Sequence, residues 1–495
     1  MKYTNPIIKG FYPDPSVCSA NGKYYLVTST MQYFPGVPVF ESENLVNWVQ
    51  VGNCLTRKSQ VELDTVESSA GVFAPTIRFF DGRFYMTTTN STTRQHFIVW
   101  TDDITGQWSE PIIIDQDGID PSLLFDNGKV YFMSNGCDDF GVSGVVQCEI
   151  DIDTGEKLTP SRCIWQGTGG RYLEAPHLYH INDYYYLVAA EGGTEYGHMV
   201  TYARGNSPYG PFVNYDKNPV LTNRNLGGFE IQGVGHGDLI QGKDGSWHLI
   251  HLGFRQIGQW SPFHHLGRET FLTPVFFGDD GWFSAGKDGT TDAQYEISGD
   301  FTQSQRLFYT FDNTSFDLEW LYLRHPNEKN YTIGENKVIL KGSDISLDMP
   351  LSPTFIGIRQ TDFKATITCD IEIDEGEAGI TIYMDESHHF DAAIRKTERG
   401  IQAVGKLNVG SIKHIANVIE LTENHAKLII ISDNYNYNLY VNEADEKHLL
   451  GSGQSKYLSS EVACGFTGVI IGLYSYDKDN KSQAVFTNFK CEYEL

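Results

Sequence analysis

Three carboxylates occupy matching places in a recurring stretch of this chain: Asp14 in YPDPSVCS, Asp120 in GIDPSLLF and Glu174 in YLEAPHLYH. Each precedes, by one or two residues, a proline that opens an apolar strand. Taken singly, an Asp-Pro step is a common turn opener, because Asp caps local N–H groups and Pro fixes φ. Glu174 is harder to explain as shape, since Glu is a poor turn former and stands here between Leu173 and Ala175. Carboxylates gathered in a partly apolar cleft cost several kcal/mol, as an order of magnitude, through lost hydration and mutual repulsion. Three on one register point to acid–base chemistry, in which one carboxyl is held protonated and another ionised.

The elements that must position these groups form an internal repeat. A turn dipeptide precedes an aromatic strand at Asn21-Gly22 (KYYLV), Asp81-Gly82 (RFYMT), Asn127-Gly128 (KVYFM), Asn182-Asp183 (YYYLV) and Asp244-Gly245 (SWHLI). Seven residues before the second member lie Pro15, Pro75, Pro121, Pro176 and Asp238, giving five copies spaced by 46 to 62 residues. Short strands joined by NG or DG hairpins at this period predict a β-propeller, because one small sheet cannot bury both its faces alone. A β-sandwich with coincidental turns is the rival, and the constant offset argues against it. In a propeller the leading segments converge on one mouth of the axial channel. There the residue before the shared position is Asp14, Ala74, Asp120, Ala175 and Gly237, and two before it are Pro13, Phe73, Ile119, Glu174 and His236.

Composition supports an all-β chain, with aromatics at 13% of 495 residues and few stretches of helical period. The expected domains are a propeller over 1–290, a polar linker over 291–305 and an antiparallel β-sandwich over 306–495, where alternating strands such as KATITCDIEI and AGITIYMD follow one another. With 37 basic against 63 acidic residues the net charge is −26, which disfavours nucleic acid and anionic membrane partners and suits a neutral substrate. MKYTNPIIKGFYPDPS carries no apolar run of signal-peptide length, and the eight cysteines show no CxxC spacing. Both features lead to the expectation of a cytoplasmic protein with reduced thiols.

Read in order, FYPDPSV, STMQYFPGVPVFESENLVNW, GIDPSLLFD, RYLEAPHLY, GVGHGDL and HHLGRET resemble glycoside hydrolase family 43. That family comprises β-xylosidases and α-L-arabinofuranosidases with a five-bladed β-propeller and, in this group, a C-terminal concanavalin-like sandwich. The resemblance implies Asp14 as general base, Glu174 as general acid and Asp120 as the residue that orients the acid and adjusts its pKa. It implies Arg268 of LGRET as a substrate-binding arginine. His236 resembles a family histidine of the axial channel that is sometimes associated with a structural Ca2+, although the carboxylate mechanism requires no cofactor. Inverting cleavage of a glycosidic bond asks for a protonated acid and an ionised base ~6.5–9.5 Å apart, a spacing that acids on different blades can meet.

Sugar sites add aromatic walls, because C–H faces of the ring pack on them. The candidates are Phe34, Phe73, Phe254 and Trp260, with Phe73 standing where many family members carry Trp. The resulting expectation is an inverting exo-glycosidase acting on arabinose- or xylose-containing oligosaccharides of hemicellulose. FHHLGRETFLTPV and GGFEIQGVGHGDL lean toward arabinofuranosyl over β-D-xylosyl units. The sandwich is expected to close one side of the pocket through SPTFIGIRQ (352–360) or else to serve as support, and a homo-oligomer is compatible with the sequence. A non-catalytic carbohydrate-binding propeller is the rival from another class. A retaining β-fructosidase on a similar scaffold is disfavoured, since its WMNDPNG and RDP motifs are absent.

Overall fold

A computed structural model describes residues 1–311, 315–443 and 446–494. The chain is built from β-strands, and its first part forms five four-stranded antiparallel sheets, each running outward in sequence order or nearly so. Their first strands are Ser16–Ala20, Val72–Phe80, Ile119–Asp126, Glu174–Ile181 and Ile231–Gln241. Each of these lies against the first strand of the sheet before and after it, and the fifth returns to the first, so the sheets close around an axis as a β-propeller. Closure is laced by the N-terminus: Lys2–Thr4 pairs with Gln294–Glu296, and Asn5 Nδ2 donates to the carbonyl of Leu272. The stretch 291–305 is therefore a strap bound to the propeller over part of its length.

The turn dipeptides do what their chemistry predicts. Asn21-Gly22, Asp81-Gly82 and Asn127-Gly128 all adopt positive φ at both positions, as a type I′ hairpin requires. Another conformational outlier recurs at the opposite end of the first strands. Asp14, Ala74, Asp120 and Ala175, each directly before the shared proline, have φ of 55°, 34°, 54° and 52°, and His236 has 53°. A left-handed non-glycine residue costs about 1–3 kcal/mol and persists where its surroundings hold it. In the second to fifth sheets it coincides with a register shift, a bulge that turns one side chain into the channel mouth.

The second part is a sandwich of two antiparallel sheets. One runs Tyr331–Gly334, Lys337–Lys341, Gln483–Tyr493, Ala365–Ile373, His425–Ser432, Asn436–Glu443 and Glu446–Gln454. The other runs Thr354–Arg359, Ile470–Tyr476, Glu377–Asp385, His388–Thr397, Gly400–Val409 and Ile412–Leu421. Alternate residues such as Ile367, Ile371, Ile380, Ile382, Phe390 and Leu439 fill the space between them. The opposite side of the six-stranded sheet presents Phe355, Tyr383 and Tyr474 to Phe11, Met31 and Tyr33 of the propeller. That packing sets the sandwich beside the channel mouth.

Candidate active site

The leading segments of the five sheets surround a cavity of about 580 Å³ lined by Asp14, Asp120, Glu174, His236 and Arg268, among others. The three carboxylates expected to meet do meet there. Asp14 is buried, and its two oxygens are held by different sheets: Oδ2 accepts from Ser29 Oγ at 2.6 Å and Oδ1 from Arg268 Nη1 at 2.7 Å. Ser29 Oγ in turn accepts the Ala74 N–H at 2.7 Å, which ties the first sheet to the second. Burial alone would raise the Asp14 pKa, but the Arg268 guanidinium, His236 and the Ser29 hydroxyl outweigh it and hold the carboxyl below its ordinary value. Asp14 is therefore ionised across the neutral range.

Asp120 and Glu174 are shifted the other way. Burial, and then the charge of Asp14, push Glu174 up to about 7. Burial, and then Glu174 and Asp14, raise Asp120 well above the carboxylate range. Because the charge of Glu174 is one of the causes that raise Asp120, ionising both carboxyls together is disfavoured. Asp120 Oδ2 also accepts the N–H of Ala175 at 3.0 Å, reaching from the third sheet to the backbone beside Glu174. That bond orients the strand carrying Glu174.

Arg268 spans the site. Besides Asp14 it donates from Nη1 to Thr194 Oγ1 at 2.9 Å and from Nη2 to the carbonyl of Phe466 at 3.4 Å, while its buried Nε has no partner among the described residues. Phe73 is half-buried on the cavity wall, edge-on to Phe466 at 6.2 Å. The other three aromatic candidates do not line the cavity. Phe34 is buried against His325, ring centroids 4.9 Å apart, where its strand pairs with Tyr322–Leu323. Phe254 is fully buried, stacked on His264 at 3.8 Å, and so backs the wall without forming it. Trp260 is 93% exposed outside the cavity.

His236 lines the cavity with Nδ1 3.7 Å from Asp14 Oδ1, and burial lowers its pKa, leaving it neutral. Its surroundings do not fit a calcium ion. Asp14 is committed to Arg268 and Ser29, and the other channel carboxylate, Asp238, is paired with Arg78 at 2.8 Å and bonded by Tyr179. A guanidinium already supplies the positive charge on the axis. Among the described residues the only cluster with metal-ligand spacing is Glu62, Asp64 and His325, away from the cavity.

The sandwich contributes the remaining wall, through 460–466 and not through SPTFIGIRQ. Thr354–Arg359 is a buried edge strand of the six-stranded sheet, with Arg359 stacked over Tyr12 at 4.3 Å. Ser460, Glu461, Cys464, Gly465 and Phe466 line the cavity instead. Glu461 Oε1 accepts from Tyr196 Oη at 2.7 Å and lies 2.7 Å from His264 Nδ1, while Oε2 accepts the His264 N–H at 3.0 Å. The domains approach at two glycines: a Cβ on Gly468 would stand 2.3 Å from the Leu266 carbonyl, and one on Gly267 would stand 3.0 Å from Gly468. Thr194, Tyr196, His264 and Glu461 carried no motif signal of their own, although His264 lies within HHLGRET.

Comparison with known proteins agrees with this arrangement. Residues 3–283 match the model for glycosyl hydrolases family 43, and 309–492 match that for the β-xylosidase C-terminal concanavalin A-like domain. The chain is 36% identical to a non-reducing end α-L-arabinofuranosidase of Bacteroides ovatus, over 96% of this chain and 91% of that protein. It is 31% identical to a β-xylosidase of Bacillus subtilis, over 99% of each. Among solved structures, the Bacteroides ovatus xyloglucan PUL protein GH43B superimposes with a TM-score of 0.93 at 34% identity, covering all of both chains. The xylan β-1,4-xylosidase of Bacillus halodurans gives 0.91 at 27% identity, covering 99% of this chain and all of that one. The chain belongs to glycosyl hydrolases family 43 and is an O-glycoside hydrolase.

Proposed function

We propose that this enzyme releases terminal non-reducing α-L-arabinofuranosyl and β-D-xylosyl residues from hemicellulose-derived oligosaccharides with inversion, the arabinofuranosyl unit preferred. The five sheets serve as the five blades of its propeller. The observation that carries the reading is one cavity lined by two carboxyls shifted in opposite directions, Asp14, bonded by Arg268 and held below its ordinary pKa, and Glu174, pushed up to about 7. Asp14 acts as general base: it takes a proton from a water whose oxygen attacks the anomeric carbon. As the bond from that carbon to the glycosidic oxygen breaks, Glu174 gives its proton to the leaving oxygen. Asp120 orients Glu174 through the Ala175 N–H and, as a neighbouring acid, keeps the proton in the pair. Arg268 and His236 line the buried end, where they can bond hydroxyls of the terminal sugar.

Closure by 460–466 on the sandwich side supports an exo mode, because a polymer cannot run through a pocket walled at one end. The 36% identity to a non-reducing end arabinofuranosidase favours that sugar, and the xylosidase names of other relatives favour β-D-xylosyl as the second activity. A panel of 4-nitrophenyl α-L-arabinofuranoside and β-D-xyloside, with the first-formed anomer followed by NMR, tests sugar and stereochemistry together. Retention of anomeric configuration, or binding of these sugars without turnover, would refute the reading.

A further inference from the structure

The cavity has a buried end and an open rim, and one aromatic ring on the rim has no assigned task. Tyr172 lies two residues before Glu174, lines the same cavity and is 61% exposed. Its backbone is left-handed, with φ 54°, a conformation that costs a bulky residue about 1–3 kcal/mol. The neighbouring chain keeps it there. Glu191, fully buried, accepts the N–H groups of Thr168 and Gly170 at 3.1 and 2.9 Å. Gly192 exchanges two bonds with Arg171, its N–H donating to the Arg171 carbonyl at 2.7 Å and its carbonyl accepting from Arg171 Nε at 3.0 Å. The Tyr172 ring lies over Gly193, where a Cβ would stand 3.1 Å from Cδ2. The Arg171 guanidinium, paired with Glu195, sits 5.4 Å from the ring centroid.

We infer that Tyr172 is the platform on which the leaving sugar rests, and that it decides which leaving groups this enzyme accepts. The inference rests on the function proposed above, and follows from the direction of proton transfer. Glu174 must face the leaving oxygen, so the sugar bearing that oxygen lies on the Glu174 side, while the terminal residue occupies the buried end beside Asp14 and Arg268. Outward from Glu174 the wall is Tyr172, with Gly193 beneath it and Glu195 and Arg171 at its margin. A pyranose packs its C–H face on such a ring, and the flanking charged groups can bond its hydroxyls. Because the backbone on both sides of the ring is already ordered by Glu191 and Gly192, less entropy is lost when a sugar settles on it.

The test compares leaving groups. kcat/KM is measured for xylobiose and for an arabinofuranosyl-substituted xylobiose, each against the methyl glycoside of the same terminal sugar, in wild type, Tyr172→Ala, Tyr172→Phe and Tyr172→Trp. The ratio of oligosaccharide to methyl glycoside falls about tenfold in Tyr172→Ala, through KM, and returns in the Phe and Trp variants. An unchanged ratio overturns the inference, whether or not both constants fall together, and so does a Phe variant as poor as Ala. Loss of folding in both Tyr172→Ala and Tyr172→Ser assigns the ring to the fold and overturns it too. A wild type inactive on every one of these substrates refutes the proposed function itself, which separates the two failures.

Discussion

Arg268 reaches across the channel mouth to Asp14, its Nη1 2.7 Å from Oδ1, and both side chains are buried. This contact allows a carboxylate out of reach of bulk water to stay charged, since burial acts on Asp14 in the opposite direction. Arg268→Met removes the offsetting charge and leaves Thr194 and the Phe466 carbonyl without their donor. The acid limb of the kcat/KM profile should then move to higher pH, because Asp14 protonates more readily. The plateau should fall by about 10²-fold or more, the scale of losing one preorganised electrostatic contact. A pH–rate profile of the variant checks both.

The alkaline limb belongs to the other carboxyl. Glu174, pushed up to about 7, must be protonated to act, so kcat/KM should decline as pH rises through about 7. Glu174→Gln cannot donate a proton at any pH. Its profile should lose that limb and its rate on natural glycosides should fall by about 10²–10⁴. A 2,4-dinitrophenyl glycoside, whose leaving oxygen needs no proton, should be spared most of the loss. An equal loss on both substrates would take the acid role away from Glu174.

The register of the carboxylates was legible because a two-residue hairpin fixes where the strand before it begins, so an offset of seven residues carries three-dimensional meaning. Asp14, Asp120, Glu174 and Arg268 could be placed on that basis and from family resemblance. The aromatic wall could not. A ring in an apolar strand reads alike whether it faces the cavity, as Phe73 does, or backs another ring, as Phe254 backs His264. The charge on the channel axis was also hidden, since nothing near Arg78 in APTIRFF marks its contact with Asp238 across the ring. Glu461 left no trace, because it arrives from the second domain through a crossing of two glycine backbones.

That late-arriving residue makes the sandwich part of the site. Glu461, held down to about 2 by His264 and Tyr196 against the cost of burial, is the acceptor for both. Glu461→Ala removes the partner of three groups on two residues of the cavity wall, Tyr196 Oη and the Nδ1 and N–H of His264, at roughly 1–3 kcal/mol for a buried group left without its partner. KM should rise about tenfold with kcat less affected, since the wall loosens while Asp14 and Glu174 keep their own contacts. Steady-state kinetics on a single aryl glycoside decides it. A variant whose KM is unchanged would reduce the sandwich to a support.

Arg78 and Asp238 make a prediction about stability. Asp238 is fully buried, and Arg78 bonds both of its oxygens, at 2.8 and 3.2 Å, while also donating to Ser16 Oγ and lying 3.0 Å from His177 Nδ1. Three first strands of the ring are thereby held to one guanidinium. Arg78→Met strands a charge on the axis and should cost about 3–5 kcal/mol in denaturant unfolding, whereas the double variant Arg78→Met with Asp238→Asn should recover much of it. The pH dependence carries the sign. Burial would raise the Asp238 pKa, but Arg78, and then His177, hold it far below the ordinary value. A depressed folded pKa contributes stability that is present above the unfolded value of about 3.9 and is lost as pH falls further. Wild type should therefore lose stability on acidification below about pH 4. In Arg78→Met the carboxyl is buried without its partner, its folded pKa rises above the unfolded one, and the dependence on this group reverses, so that mild acid stabilises the variant relative to neutral pH. Parallel unfolding curves for the two proteins across pH 4 to 7 would show that the axial charge pair plays no such part.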